Sequence, residues 1–331
     1  MRHLSKTLHA TTMAWLTCAM FSPMPHAQIA PASNYPNKPI RLLVGVTAGG
    51  GTDTTARAIA PKLYEMWGRQ VIVDNRTGAG GAIAMDLTAK ATPDGYTISM
   101  ISASQTILSA TEPRLPYDLT KDIAGISRAT SLFLVMYHIP SFQVKSVQDL
   151  LAYAKAHPGK LNYGSTGAGS LHHISWELFS HMGGVKLTHV PYKGGTAAVS
   201  AALAGEIQVG FTTLVSVRPH AQSGRLRLLA ITAGKRSPAV PELPTIAESG
   251  VPGYEVDAWY GVITGAKVPT AIINKVNAGI VEALKSPDVV QRLAGDGSTA
   301  MSSSPDAFDA HIKNEIIKWS RLVKNVKLAP H

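Results

Sequence analysis

From residue 40 onward, short runs of β-branched and aliphatic residues alternate with amphipathic helical patterns along the chain. The first cycles predict strands at 40–46, 70–75 and 96–102, with helices at 53–68 and 78–91 between them. Strands separated by helices pair in parallel and are covered on both faces, so the pattern predicts an α/β fold with parallel sheets. A composition of 45% apolar and 16% charged residues agrees with a globular chain and disfavours disorder or a coiled coil.

Two long apolar segments, 126–140 and 256–266, are predicted as strands that cross between two sheets and act as hinges. The block between them is then an insertion, and the chain forms two lobes with a cleft. We expect lobe 1 to comprise residues 33–135 and 260–331, and lobe 2 to comprise residues 136–259. The helices at the end of the chain are expected to pack back on lobe 1.

Glycine-rich and hydroxyl-rich loops follow several of the predicted strands. The richest are GVTAGGGTD (45–53), NRTGAGG (75–81) and YGSTGAGS (163–170), and SASQ (102–105) and FTTL (211–214) are milder examples. In open α/β sheets, ligands bind beyond the carboxyl ends of strands, where helix N-termini stabilise an anion. One glycine loop is most simply a turn, but several at equivalent strand ends predict an anion-binding site.

The loops lack the residues that nucleotide-binding and catalytic motifs require. GAGGAI lacks the last glycine of a dinucleotide fingerprint, and no glycine loop ends in Gly-Lys-Ser/Thr. YGSTG has tyrosine where a nucleophile elbow needs glycine. His173 and Glu177 stand one helical turn apart, but a packed or capping role for His172 or His173 is favoured over a metal site. Trp259 and Tyr260 are either core residues or a stacking surface for a ligand.

The N-terminus has the order of a secretory signal peptide over residues 1–27: a basic start, a short apolar run and small residues. Cleavage is predicted after Ala27, with Ala32 as the alternative. The single cysteine, Cys18, lies in this segment, so the mature chain has neither disulfides nor thiol chemistry. The protein is therefore expected in the periplasm.

The mature chain is moderately basic. Removing two basic residues with the signal peptide leaves 29 Lys and Arg against 21 Asp and Glu, a net charge of about +8. These charges are dispersed and lack interleaved aromatic residues, which argues against nucleic acid and is compatible with a small acidic ligand.

Several stretches resemble the solute-binding receptors of tripartite tricarboxylate transporters, also called the Bug family. The resemblance is seen in VDNRTGAGGAIAMDLTAKATPDGYTI, YGSTGAGSLHHISWELF, VPYKGGTAAVSAALAGEIQVGF, KRSPAVPELPTIAESGVPGYEV and WYGVITGAKVP. It implies a type II periplasmic-binding-protein fold, two α/β lobes joined by two crossing strands with a ligand cleft between them. It also implies a monomeric, non-enzymatic receptor that closes on an organic acid and delivers it to membrane permease subunits, without a cofactor or metal.

The resemblance and the glycine loops together predict a binding site for a carboxylate. GGGTD would supply the half of the site in lobe 1, and YGSTGAGS the half in lobe 2. The residues expected to bind the ligand are Val46, Gly50, Gly51, Thr52, Ser102, Ser104, Ser165, Thr166, Gly169, Ser170 and Thr212.

Two departures from the family pattern bear on the ligand. GVTA (45–48) stands where many members have a proline- and phenylalanine-rich run, and Thr212 and Thr213 stand where many have Asp-Asn. Without that carboxylate, the ammonium group of an amino acid would be left unpaired, which is unfavourable in a closed cleft. The expected ligand is therefore a di- or tricarboxylate or an aromatic carboxylate. A sensory receptor for a signalling partner and, less favoured, a periplasmic enzyme on the same fold are the alternatives.

Overall fold

The computed structural model describes residues 34–112, 114–295 and 297–326. The predicted signal peptide and both cleavage sites lie outside these residues. In the described part of the chain, every helix is too short or too polar to cross a bilayer.

The predicted alternation of strands and helices is present. The strands of the described residues are β1 (Ile40–Val44), β2 (Val71–Asn75), β3 (Thr97–Ser102), β4 (Ile123–Leu132), β5 (Val135–His138), β6 (Asn162–Ser165), β7 (Thr188–Pro191), β8 (Val209–Thr212), β9 (Arg227–Ile231), β10 (Ala258–Gly265) and β11 (Ser298–Ala300). The helices are α1 (Gly51–Trp67), α2 (Ala82–Ala89), α3 (Ala103–Thr111), α4 (Val147–Ala156), α5 (Leu171–Gly183), α6 (Gly195–Leu203), α7 (Leu214–Gln222), α8 (Thr270–Lys285), α9 (Pro287–Gly295) and α10 (Pro305–Val326).

The strands form two sheets. The first has the order β11-β4-β10-β3-β1-β2, in which β1 pairs in parallel with β2 and β3 while β10 runs antiparallel to β3 and β4. The second has the order β7-β6-β8-β5-β9, in which β6 pairs in parallel with β7 and β8 while β5 runs antiparallel to β8 and β9. Each parallel core places strand ends and following helix starts at one edge of its sheet.

The chain passes between the sheets in two places. The prediction of one long strand over 126–140 is wrong, because β4 belongs to the first sheet and β5 to the second, and residues 133 and 134 leave both ladders to make the passage. The return lies just before β10, which stays in the first sheet along its whole length. Buried Thr232 joins the two passages: its hydroxyl accepts from Leu134 N at 2.9 Å and donates to Val256 O at 2.9 Å.

Helix α7 connects β8 and β9. Its sequence contains Pro219 and several polar residues, which weaken the helical pattern. The helix still forms because Leu214 and Val217 are buried, so packing against the lobe outweighs the low helical propensity.

The C-terminal helix α10 packs on the first sheet, as expected. Phe308 is completely buried and meets Trp259 of β10 edge to face, with ring centroids 5.6 Å apart. A Cβ atom at Gly261 would overlap the Phe308 ring, so a glycine in β10 makes room for the aromatic side chain. Trp259 Nε1 donates to Glu315 of the same helix at 3.2 Å.

We expect Phe308→Ala to lower the free energy of unfolding by about 3–5 kcal/mol, because it leaves a cavity over β10. Ile317→Ala on the same helix is the control, since Ile317 is 49% exposed, and should change it by less than about 1 kcal/mol. Urea denaturation followed by tryptophan fluorescence measures both. Equal losses in the two variants would show that α10 is not anchored through Phe308.

Candidate ligand-binding site

The starts of six described helices converge on two adjoining cavities between the sheets. The N-cap residues that line these cavities are Gly50 of α1, Gly81 of α2, Ser102 of α3, Ser170 of α5, Gly194 of α6 and Thr213 of α7. Each helix start presents backbone N–H groups without a partner in the helix and the positive end of a dipole. Each stabilises a nearby anion by about 0.3–1 kcal/mol. Three helices follow strands of the first sheet and three follow strands of the second, so an anion here is contacted from both sides.

The inner cavity is small, about 60 Å³, and rich in hydroxyl groups. No Asp, Glu, Lys or Arg is present among its described lining residues. The hydroxyl side chains that line it are Thr47, Thr52, Ser102, Ser104, Thr166, Thr212, Thr213, Ser216 and Tyr260. An anionic group in this cavity would therefore be held by neutral donors and helix dipoles rather than by an ion pair.

The outer cavity is larger, about 430 Å³, which is within the usual range for small-molecule sites. Val46, Leu108 and Leu115 contribute apolar surface, while Glu112 and Lys193 contribute opposite charges. Within the described chain, Lys193 forms no ion pair. The outer cavity can therefore take the apolar part of a ligand and offers a second anionic group one cation.

Nine of the eleven residues expected to bind the ligand line these cavities. Four line both: Val46, Ser102, Ser104 and Thr166. The inner cavity also has Gly50, Gly51, Thr52 and Thr212, and the outer cavity has Ser170. The Ser170 hydroxyl caps α5 by accepting from His173 N at 3.3 Å, which leaves its proton available to an anion.

The other two expected residues, Ser165 and Gly169, line neither cavity. Ser165 is completely buried, and its hydroxyl lies 2.6 Å from His189 Nε2 and 3.0 Å from Gly167 N. Gly169 has φ +71°, a conformation that favours glycine, and its amide donates to His173 Nδ1 at 3.1 Å. Both residues fix the conformation of the loop and do not line the cavities, because their polar groups are already bonded to the protein.

Loops from the two sheets touch across the cleft. Ser104 Oγ, at the start of α3, accepts from Leu171 N, at the start of α5, at 3.1 Å. A Cβ atom at Gly51 would overlap the Tyr260 hydroxyl and lie 3.1 Å from Thr213 Cγ2. Such close contact leaves no space for a larger residue at position 51.

The turn at 77–81 also lines the outer cavity. The sequence marked it as a glycine loop, but it was not included among the expected site residues. Its residues Gly78, Ala79, Gly80 and Gly81 all have positive φ angles, between +47° and +127°. Gln105 Nε2 donates to Gly80 O at 2.8 Å and fixes the turn against α3. The feature of the sequence that points to this turn is the run of glycines directly after β2.

Ionisable side chains near the inner cavity are either paired or neutral. Burial alone raises the pKa of Asp53, but hydrogen bonds from Arg57, Gly49 N and Asn75 outweigh it and hold that pKa below its usual value. Asp53 therefore serves the start of its own helix and pairs with Arg57. Burial lowers the pKa of His172 to about 4, so this imidazole, 3.1 Å from Thr166 Oγ1, is neutral at pH 7.

His173 is packed, as favoured from the sequence, and Trp259, for which a core role and a stacking role were both open, is a core residue that also lines the inner cavity. His173 Nδ1 accepts from a backbone amide, and its Nε2 lies 3.9 Å from Glu177 Oε1. Among the described residues, no group of three His, Cys, Asp or Glu side chains is placed to hold a metal ion. Trp259 is 1% exposed and belongs to the core beneath α10.

Comparisons with known proteins agree with this geometry. The model of the tripartite tricarboxylate transporter family receptor matches residues 55–328. Protein BugT of Bordetella pertussis is 35% identical over 295 residues, which cover 88% of this chain and 90% of BugT.

Two similar solved structures come from Rhodopseudomonas palustris and contain carboxylates. Rpa4515 with adipate has a TM-score of 0.86 and 34% identity, covering 90% of this chain and 100% of that chain. MatC (Rpa3494) with bound malate has a TM-score of 0.83 and 29% identity, covering 87% and 100%. The two-lobed periplasmic-binding-protein fold is confirmed by these similarities. By its sequence and its fold, the chain belongs to the tripartite tricarboxylate transporter family of receptors.

Proposed function

We propose that this receptor captures a small organic carboxylate in the periplasm and delivers it to membrane permease subunits of a tripartite tricarboxylate-type transporter. The observation behind this proposal is the convergence of six helix N-termini on two adjoining cavities, the inner of which has no Asp, Glu, Lys or Arg among its described lining residues. Such a site stabilises one carboxylate through neutral donors. The protein exported by the predicted signal peptide would act as a monomer, without metal, cofactor or turnover.

The proposed lobes follow the two sheets to within two residues at each boundary. Lobe 1 comprises about residues 33–135 and 260–331, and lobe 2 about 136–259, with hinges proposed at the passages at 133–134 and 256–257, directly before β5 and β10. Closure would bring the starts of α1, α2 and α3 against those of α5, α6 and α7 around the ligand. The proposed binding residues are the nine expected residues that line the cavities, together with the turn at 77–81.

The ligand is proposed to lack an amine next to the carboxylate that enters the inner cavity. Hydroxyl groups of Thr212 and Thr213 line this cavity, and Asp53 is paired with Arg57. An ammonium group there would be buried without a counter-ion, which is unfavourable. A di- or tricarboxylate or an aromatic carboxylate fits these constraints. The similar structures with adipate and malate make dicarboxylates the first class to test.

A melting-shift panel tests the ligand class. The largest rise in melting temperature should come from one of the acids without an amine: succinate, adipate, citrate, benzoate or a phthalate. Aspartate and glutamate should raise it little. At a ligand concentration about 100 times Kd, binding adds about 2.7 kcal/mol to stability, which raises the melting temperature measurably. A larger shift with aspartate or glutamate would contradict the amine argument. Recovery of a chemically changed ligand after long incubation would contradict the absence of turnover.

Lys193→Gln tests recognition of a second carboxylate in the outer cavity. We expect the affinity for dicarboxylates to fall by about 1.5- to 5-fold, the size of an ion pair at an exposed site. Affinity for monocarboxylates should not change. Lys160→Gln is the control, because Lys160 is exposed and does not line the cavities. Isothermal titration calorimetry measures both. Equal effects on mono- and dicarboxylates would show that Lys193 does not select the second charge.

Gly195→Ala tests the contribution of lobe 2 to the inner cavity. Gly195 is the first residue of α6, and an added Cβ would lie 3.1 Å from Thr212 Oγ1. The added methyl group narrows an inner cavity of about 60 Å³, so affinity should fall about 5- to 150-fold, which corresponds to about 1–3 kcal/mol. The free energy of unfolding of the ligand-free protein should change by less than about 1 kcal/mol, because the helical preference of alanine offsets part of the tight contact with Thr212. Gly295→Ala is the control, because a Cβ there meets no atom within 4 Å. Unchanged affinity in Gly195→Ala would place the ligand elsewhere.

A further inference from the structure

Behind the loop at 165–170, on the side away from the cavities, lies a layer of aromatic rings. The rings of His173 and His189 are stacked with centroids 4.0 Å apart and planes 18° from parallel. Tyr163 stacks on His189 with centroids 5.1 Å apart, and its hydroxyl donates to Glu177 Oε1 at 2.6 Å. His173 is 4% exposed and Tyr163 is completely buried. The layer is therefore a packed support for this loop.

The hydrogen bond to Gly169 fixes the protonation of His173. A backbone amide can only donate, so His173 Nδ1, 3.1 Å from Gly169 N, must be the acceptor and must be unprotonated. The proton of the neutral ring is then on Nε2, on the side of Glu177 Oε1 at 3.9 Å. This amide belongs to a glycine with φ +71°, directly before the cap of α5.

Three contacts of Ser165 hold the other end of the loop. Ser165 Oγ lies 3.0 Å from Gly167 N, 3.0 Å from Gly167 O and 2.6 Å from His189 Nε2. All three contacts are hydrogen bonds if Ser165 accepts from Gly167 N and from His189 Nε2–H and donates to Gly167 O. The two stacked imidazoles thus hold both ends of the loop, whose residues Thr166 and Ser170 line the cavities.

We propose that His173 is a positioning residue of the carboxylate site: its neutral ring holds the Gly169 amide, and protonation of Nδ1 releases the loop and weakens anion binding. The role in binding rests on the proposed function, whereas the role in loop geometry does not. Glu177 of α5, Tyr163 of β6 and His189 of β7 face the ring. Glu177 favours the protonated ring, but a proton on Nδ1 still removes the acceptor for the amide. Affinity is therefore expected to fall as the pH falls through the titration of His173.

Two variants distinguish the effect of losing the hydrogen-bond acceptor from the effect of losing the titratable ring. His173→Asn can keep an acceptor oxygen near the position of Nδ1 and does not titrate, whereas His173→Leu removes the acceptor. His181→Asn is the control, because His181 is an exposed residue of the same helix. Circular dichroism and melting curves establish that each variant is folded. If the leucine variant does not fold, the asparagine variant and the pH profile of the unsubstituted protein still test the proposal.

The first measurement is amide hydrogen exchange at Gly169 in the ligand-free protein, followed by NMR from pH 5 to 8 and corrected for the intrinsic rate. We expect exchange to accelerate at least about tenfold in His173→Leu at pH 8, because a hydrogen bond is lost. His173→Asn should stay near the unsubstituted protein at pH 8 and lose its acid-dependent acceleration. Unchanged exchange in the leucine variant, or the same acid dependence in the asparagine variant, would overturn the proposal.

The second measurement is the binding of adipate to the same variants across this pH range. The unsubstituted protein should lose affinity on acidification, and His173→Asn should lose less. Absence of adipate binding at every pH would count against the proposed ligand class, while the exchange result would still decide the role of His173. Binding with identical pH dependence in both proteins would overturn the link between the ring and the site.

Discussion

The convergence of six helix N-termini is the constraint on which the rest of this structure depends. Parallel strands send every following helix back from the same edge, so the positive ends of the helices in each lobe point into one cleft. Like dipole ends brought together repel one another unless polar groups or an anion offset them. Serine caps at positions 102 and 170 and the carboxylate of Asp53 offset part of this repulsion. The space they leave suits a carboxylate better than a cation or a neutral molecule.

This constraint connects recognition to the arrangement of the lobes. Direct contacts across the cleft include the hydrogen bond from Leu171 N to Ser104 Oγ and the close packing around Gly51. Two short passages link the sheets and are tied together by Thr232. The free energy of bringing the lobes together therefore depends in part on what lies between the helix starts. An anion gains more favourable interactions when both sets of dipoles face it than when one does, which would favour closure on a ligand.

The loops that line the cavities depend on side chains that fix their conformation. Ser165 and Gly169 are bonded to His189 and His173, and Gln105 fixes the turn at 77–81. Selectivity of the site is thus divided between small residues at its surface and a packed layer behind them. Substitutions in that layer are expected to alter binding through loop geometry, without removing any group that contacts the ligand.

The sequence by itself determined the α/β class, the positions of the first strands and helices, and the glycine loops as the ligand edge, because periodicity and glycine placement are local properties. It also indicated nine residues that line the cavities. Only the tertiary structure decided that 126–140 is two strands, since sheet membership depends on distant partners. It alone placed Lys193 and Glu112 in the outer cavity, and it moved Ser165 and Gly169 behind the loop. These assignments depend on which side chains from separate elements come into contact. Local sequence patterns do not predict such contacts.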